Sequence, residues 1–307
     1  MIVAITGANG FIGQHLCERF AERVDVVRPI VRRDLDSASI GKMFDGVDVV
    51  VHAAGATRAP TRALLRASNV ELTKRVVDLA RQANVARFVF VSSQAAAGPA
   101  SFLDTPVTED MSPAPIEAYG RSKLDAEHVV RTSEGMSWVI VRPAAVYGSR
   151  DRDFLAMFRL ARHGVAIHAA NRAQWVSIIH VRDVADGILR AATLPQAAGG
   201  TFFLANEAPV QWAEVFRSAA RVTHRSLFLD VEIPAWLVEA GAAAGDVLAR
   251  VAGSAGLLTS EKVALTKPRF WICSSERAKR ELGFIPRIGL QEGLTETHDW
   301  YRTHGWL

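Results

Sequence analysis

Gly7, Gly10 and Gly13 stand three residues apart, directly behind the chain's first apolar run, Ile2-Val3-Ala4-Ile5. After them Phe11, Ile12, Leu16 and Phe20 recur at helical spacing. The pattern reads strand, tight turn, amphipathic helix. Small residues in such a turn serve separate purposes. The first permits the turn, the second lets backbone approach a bound pyrophosphate, and the third lets helix and strand pack closely. Free N–H groups at the helix start then hold the phosphates. A glycine triplet alone is a weak signal. Its place between a strand and an amphipathic helix is what points to a dinucleotide.

The 307 residues allow one large domain, or a core domain with a smaller lobe, and 49% of them are apolar. The net charge of +4 is dispersed, and no basic tract is interleaved with aromatics, which argues against a nucleic-acid partner. Cys17 and Cys273 are the two cysteines. They offer neither a disulfide framework nor zinc spacing, as suits a reducing, cytoplasmic setting. The first apolar run is expected to be a strand rather than a secretory leader. No apolar run is long enough to predict an integral membrane span.

Further strands are expected at Val24–Val31, Val47–Val51, Arg87–Val91, Trp138–Val141 and Thr201–Leu204, with Trp175–Val181 returning to the same sheet. Only a short segment, Asp34–Gly46, separates the second strand from the third, so that edge of the sheet should be abbreviated. Arg32 and Arg33 follow the second strand, where a carboxylate would accept from a ribose 2′-hydroxyl and an arginine suits a 2′-phosphate. Arg32 therefore favours NADP(H) over NAD(H), with a solvated arginine pair as the bland alternative. Asp34 or Asp36 would stand near the adenine. The third strand ends in His52-Ala53-Ala54-Gly55, small residues that again suit approach to a cofactor; His52 by itself reads as structural. Asn69 is expected to open a helix over Val70–Gln82.

Thr105–Pro115, with three prolines, reads as a lid or substrate loop. A helix beginning near Ile116 carries Tyr119 and Lys123, four residues apart and so on one helical face. A phenol, with a pKa of about 10, is a poor acid–base group at neutral pH. A neighbouring ammonium and an oxidised nicotinamide would stabilise its anion. Ser93 follows the fourth strand, at the sheet edge where ligands bind. Val146-Tyr147-Gly148 should form a turn, and Asp151–Gly164 a helix leading off the sheet. Ile233–Leu258 reads as a mostly buried pair of amphipathic helices, core packing being favoured over contact with a membrane surface.

These stretches resemble the extended short-chain dehydrogenase/reductases, also known as the NAD-dependent epimerase/dehydratase superfamily. The likeness is carried by TGANGFIG (6–13), HAAG (52–55), VSS followed by Gly98, YGRSK (119–123), VRPAAVYG (141–148) and IHVRDVADG (179–187). The resemblance implies an α/β fold: a doubly wound, mostly parallel Rossmann sheet with a smaller discontinuous C-terminal substrate lobe. The core would take residues 1–150 plus about 175–198, and the lobe 151–174 plus 199–307. It implies catalysis by Ser93, Tyr119 and Lys123, with Tyr119 as general acid or base. Ser93 would orient the substrate oxygen, and Lys123 would hold the nicotinamide ribose and depress the tyrosine pKa. Cofactor contacts would come from Gly7, Asn9, Gly10, Phe11, Ile12, Gly13, Arg32, Ala53, Ala54, Gly55, Asn69, Val91, Ser92, Tyr119, Lys123, Pro143 and Val146. Substrate contacts would come from Ser93, Gln94, Ala95, Tyr119 and Ala145, with no metal.

Sugar-nucleotide epimerases and dehydratases usually place an asparagine where this chain has Ala144 and Ala145. They also tend to carry an arginine near Trp175-Val176-Ser177, although Arg172 could substitute. The C-terminal stretch resembles the 3β-hydroxysteroid dehydrogenase-like and dihydroflavonol reductase-like branch. That branch implies an NAD(P)-dependent oxidoreductase acting on a carbonyl or secondary alcohol of a lipophilic or aromatic small molecule, and a homodimer. The alternatives are a sugar-nucleotide 4-epimerase or dehydratase that recycles its NAD, and a non-catalytic cofactor-sensing binding protein.

Overall fold

In the computed structural model, which describes residues 1–37, 39–169, 171–227, 229–252 and 260–307, the first half alternates strand and helix. Its elements are β1 (Ile2–Thr6), α1 (Phe11–Ala21), β2 (Val26–Ile30), α2 (Arg32–Leu35), β3 (Val49–His52), α3 (Arg62–Arg66), α4 (Leu72–Gln82), β4 (Arg87–Val91), α5 (Ala118–Arg131) and β5 (Ser137–Pro143). There follow β6 (Ala145–Tyr147), α6 (Asp153–Ala161), β7 (Val165–Ala169), β8 (Trp175–Val176), β9 (Ile178–His180), α7 (Val181–Thr193), β10 (Thr201–Leu204), β11 (Val210–Gln211) and α8 (Trp212–Val222). The last elements are β12 (Leu229–Ile233), α9 (Ala235–Ala252), α10 (Ser260–Thr266), β13 (Phe270–Trp271), α11 (Glu276–Leu282) and α12 (Leu290–Thr303).

Six strands form the main sheet in the order β10-β5-β4-β3-β1-β2, and all its pairs are parallel. Alternation along each strand decides which helix layer it meets. Val3 and Ile5 of β1 pack with Leu16 and Phe20 of α1 and with Val184 and Ile188 of α7. Ala4, between them, faces Val76, Val77 and Ala80 of α4 and Ala126 and Val130 of α5. Both faces are covered, as a parallel sheet requires. The short stretch after β2 leaves that strand at the edge, as its length predicts. The opposite edge is met by the loop after β4, where Glu109 Oε1 accepts the N–H of Phe203 at 2.8 Å.

Several expectations are corrected. Asn69 does not open a helix: it lies in a π-helical turn, Ala67–Glu71, joining α3 to α4. Trp175–Val181 does not return to the main sheet, because Ser177 breaks it into β8 and β9. β8 pairs with β11 and β13, and β9 pairs with β6, so Val146-Tyr147 are strand rather than turn. The core does not stop at 198: β10 is the sheet's outer strand, parallel to β5. Leu282 and Phe284 also join the core cluster, because the sheet face beneath β10 needs cover. The lobe has its own core, in which Phe154 and Phe158 of α6 meet Val215 and Phe216 of α8 and Tyr301 of α12.

The expected buried helix pair is one long helix, α9, followed by α10, with 253–258 outside the described residues. Trp236 is 67% exposed and Leu237 45%, so the first turns of α9 are not mostly buried; among the described residues Val238 and Ala242 pack inward, on Val263. Among the described residues, no helix is long and apolar enough to cross a membrane.

One buried cluster binds α5 to the sheet. Glu127 accepts from Arg142 Nε (2.8 Å) and Nη2 (2.7 Å), from Ser92 Oγ (2.6 Å) and from Arg131 Nη2 (2.9 Å). Arg142 and Glu127 are both almost wholly buried. The guanidinium beside it holds the Glu127 carboxyl below its usual range against the opposing effect of burial. Removing one partner strands the other charge in the interior. Glu127→Ala should therefore lower unfolding stability by about 3–5 kcal/mol, read as a fall in the urea midpoint at unchanged slope.

Candidate active site

The glycine turn sits at the C-terminal end of β1. Gly7 has φ +72°, and a Cβ there would lie 2.7 Å from the Ala54 nitrogen. A Cβ on Gly13 would lie 2.0 Å from the Gly7 oxygen. These positions must lack side chains for β1, α1 and the end of β3 to meet. Gly10, the N-cap of α1, offers no side-chain cap, so the first N–H groups of the helix remain for an outside acceptor. Asn9 and Gly10 are exposed on the turn, and Phe11 and Ile12 form the first turn of α1. These residues fit a dinucleotide's pyrophosphate. Arg32 is exposed just beyond β2. Asp34 bends back to accept from the Val31 N–H at 2.8 Å, capping α2, so that carboxylate is turned to its own backbone.

His52 is fully buried below this cradle. Thr73 Oγ1 donates to the Asn69 carbonyl (2.5 Å), so it accepts from His52 Nε2 (3.0 Å). His52 Nδ1 then accepts from Thr6 Oγ1 (2.6 Å). Burial pushes the imidazole pKa down to about 3, and the Lys123 ammonium adds to that. The structural reading of His52 stands. Asn69 works one step further out. Its Oδ1 accepts from Ala56 N (2.8 Å), and its Nδ2 donates to Ala56 O (2.9 Å) and Ser122 Oγ (2.8 Å). The π turn thereby ties the loop after β3 to α5.

Ser93, Tyr119 and Lys123 come together where β4 ends. Ser93 Oγ accepts from Ala95 N at 3.2 Å, and its hydroxyl lies near enough to the Tyr119 phenol to lower the phenol's pKa. Lys123 Nζ donates to the Val91 carbonyl at 2.6 Å and lies 4.1 Å from the Phe90 ring centroid. Burial pushes the phenol up to about 12 against the lowering effect of Ser93, and Glu117 raises it further. Burial brings the Lys123 ammonium down to about 7, with Glu127 opposing. Lys123 was expected to depress the phenol pKa; instead burial raises it, and the lowering influence on it is Ser93.

Of the remaining expected residues, Gln94 is buried with its Nε2 unpartnered, next to Ser93. Ala144 is buried, whereas Ala145 is exposed at the start of β6, beyond Pro143. Sequence reasoning missed two residues that seat α5. Glu117 accepts from the N–H groups of Tyr119 and Gly120, both at 2.5 Å, and caps the helix. A Cβ on Gly120 would lie 2.2 Å from the Ala95 oxygen, so this glycine lets the tyrosine helix rest against the serine turn. The glycine directly after Tyr119 was the available signal. Among the described residues, no cluster could hold a metal ion.

A dinucleotide cradle with its serine, tyrosine and lysine at one end of a parallel sheet is the build of an NAD-dependent enzyme of the extended short-chain type. The chain belongs to the NAD dependent epimerase/dehydratase family, whose pattern matches residues 3–205. It is 29% identical over 324 aligned residues to a ceramide reductase of Caulobacter vibrioides, covering 100% of this chain and 96% of that one. It is 26% identical to a UDP-glucose 4-epimerase of Vibrio cholerae, covering 96% and 94%. Its fold is similar to that of MoeE5 in complex with UDP-glucuronic acid and NAD, with TM-score 0.78, 24% identity, and 99% and 100% of the two chains covered.

Two outcomes follow. Gly13→Ala should weaken NAD(P)H binding by about tenfold or more, read by nucleotide fluorescence, because its Cβ overlaps the turn. Acid should destabilise the protein through His52. Between about 3 and 6.5 the unfolded chain binds a proton that the folded one refuses. Stability is therefore full above pH 6.5 and declines below it, by on the order of 2 kcal/mol at pH 5 from this group. Urea melts at pH 7.5 and 5 check this, and His52→Gln should shrink the difference.

Proposed function

We propose that the protein is an NADP(H)-preferring oxidoreductase that reduces a ketone on a lipophilic molecule, and oxidises the secondary alcohol in reverse. The single observation that carries the reading is the buried Lys123, which sits one turn after Tyr119 on α5 and is bonded to the Val91 carbonyl at the end of the strand that leads into Ser93. When bound, the nicotinamide supplies or accepts the hydride. Gly7, Gly10 and Gly13 with the start of α1 would hold its pyrophosphate, Arg32 a 2′-phosphate, and Lys123 and Asn69 would border the nicotinamide half.

Ser93 and Tyr119 would both donate to the substrate's carbonyl oxygen. A phenol at about 12 is protonated at neutral pH, which is the form an acid needs for reduction. As charge develops on that oxygen, Tyr119 gives up its proton. Lys123, brought down to about 7, then carries a proton that can be returned to the phenolate.

An apolar substrate is supported by the ceramide reductase relative and by the exposed, uncharged Ala145. It is supported as well by the segment that links Ser93 to Tyr119, which exposes Phe102, Leu103, Met111 and Ile116. The same reading includes a homodimer through the neighbouring helices α4 and α5.

Tyr119→Phe should cut the reduction of a lipophilic ketone by about 10²-fold or more while leaving NADPH affinity within about twofold. Arg32→Asp should move the preference towards NADH. Steady-state rates across a panel of apolar ketones, with both nucleotides, check both. Full turnover by Tyr119→Phe would remove the assigned acid. Stoichiometric NAD released on denaturing the purified protein would favour the recycling epimerase instead.

A further inference from the structure

The segment 148–153, which runs from β6 into the first residue of α6, is fastened on two sides. Towards α1, the Ser149 carbonyl meets His15 Nε2 at 3.0 Å, and Arg150 Nη2 donates to Glu18 Oε1 at 2.6 Å. Towards the loop after β3, Asp153 forms an ion pair with Arg58. The glycine turn leads into α1 and abuts Ala54, two residues past β3, so the segment is tied to both elements that flank the turn.

The two fastenings differ in kind. On the α1 side His15 and Ser149 are both buried, and Arg150 is three-quarters buried with φ +71°, a backbone state that non-glycine residues adopt only when their surroundings hold them there. On the other side Asp153 is 67% exposed, and Arg58 stands on an exposed stretch three residues beyond Gly55. Asp153 itself cannot readily follow Arg58, because its N–H is held by Asp151 Oδ1 at 2.9 Å at the start of α6. The Arg58 stretch runs between two anchors, the Ala56 backbone held by Asn69 and the Thr61 cap of α3.

We propose that Arg58 and Asp153 are the residues that govern cofactor exchange: their ion pair closes a strap over the bound dinucleotide, and its opening sets the rate at which the dinucleotide leaves. The inference deepens the reading of the protein as a reductase, and its exchange step rests on that reading. A reductase must release oxidised cofactor every cycle, and a solvent-exposed pair is weak enough to open on that timescale.

The test measures NADPH release by stopped-flow fluorescence, displacing the bound nucleotide with excess NADP⁺, from the wild type, Arg58→Ala, Asp153→Asn and the charge-swapped double variant R58D/D153R. Both single variants should release NADPH about two- to fivefold faster, as expected for an exposed pair, and the swap should restore the wild-type rate. Raising the salt concentration should speed release more in the wild type than in either single variant. Single variants that release at the wild-type rate, or a swap that fails to restore it, would overturn the strap. If the wild type holds its nucleotide for hours while the single variants let it go, the strap stands and the reductase reading falls.

Discussion

The buried carboxylate of Glu127 is the point on which the candidate site depends. It accepts from Ser92, Arg131 and Arg142 at once, and so joins the end of β4, the end of β5 and the inner face of α5. Ser92 precedes Ser93 in the chain, and Lys123 lies one helical turn before Glu127. The relative positions of serine, tyrosine and lysine are therefore set from behind by a single anion. Such a cluster contributes little net stability compared with an apolar equivalent, but it tolerates only one arrangement of its donors. Gly120 completes the arrangement from the front, bringing the helix onto the Ala95 carbonyl.

A second chain of bonds begins at the other end of the site. Thr6, His52 and Thr73 link the strand before the glycine turn to the carbonyl of Asn69, and the Asn69 side chain continues to Ala56 and Ser122. The π turn places Asn69 so that its backbone serves one network and its side chain the other. The cradle and the tyrosine helix are thus connected through neutral, fully satisfied groups, which hold position without the desolvation cost of a charge.

The parts of the fold legible in the sequence were those fixed by local rules. The glycine spacing, the apolar strand β4 from Arg87 to Val91 and the i, i+4 placement of Tyr119 and Lys123 need no knowledge of distant chain. The abbreviated edge followed from counting residues between β2 and β3. What escaped was decided by tertiary contacts. Trp175–Val181 reads as one strand by composition, yet Ser177 Oγ accepts the Cys273 N–H at 3.1 Å and splits it between two small sheets. The pairing of β7 with β12 joins residues about sixty positions apart, beyond any local pattern. The exposure of Trp236 and Leu237 contradicts their composition. The Tyr119 pKa was expected to be depressed by Lys123, whereas burial raises it.

The two borders of the main sheet are finished in different ways. On one side β2 carries Pro29, exposed and without an N–H to offer, and Arg28 beside it is bound to the carbonyls of Met43 and Asp45. On the other, the Phe203 amide of β10 is taken by the Glu109 carboxylate. A seventh strand, whether from a misfolded neighbour or a second copy, meets a missing donor at one border and a capped one at the other. The sheet's width is therefore a closed quantity, and growth by strand addition, the usual hazard of an open parallel sheet, is discouraged at both ends by two residues that take no part in catalysis.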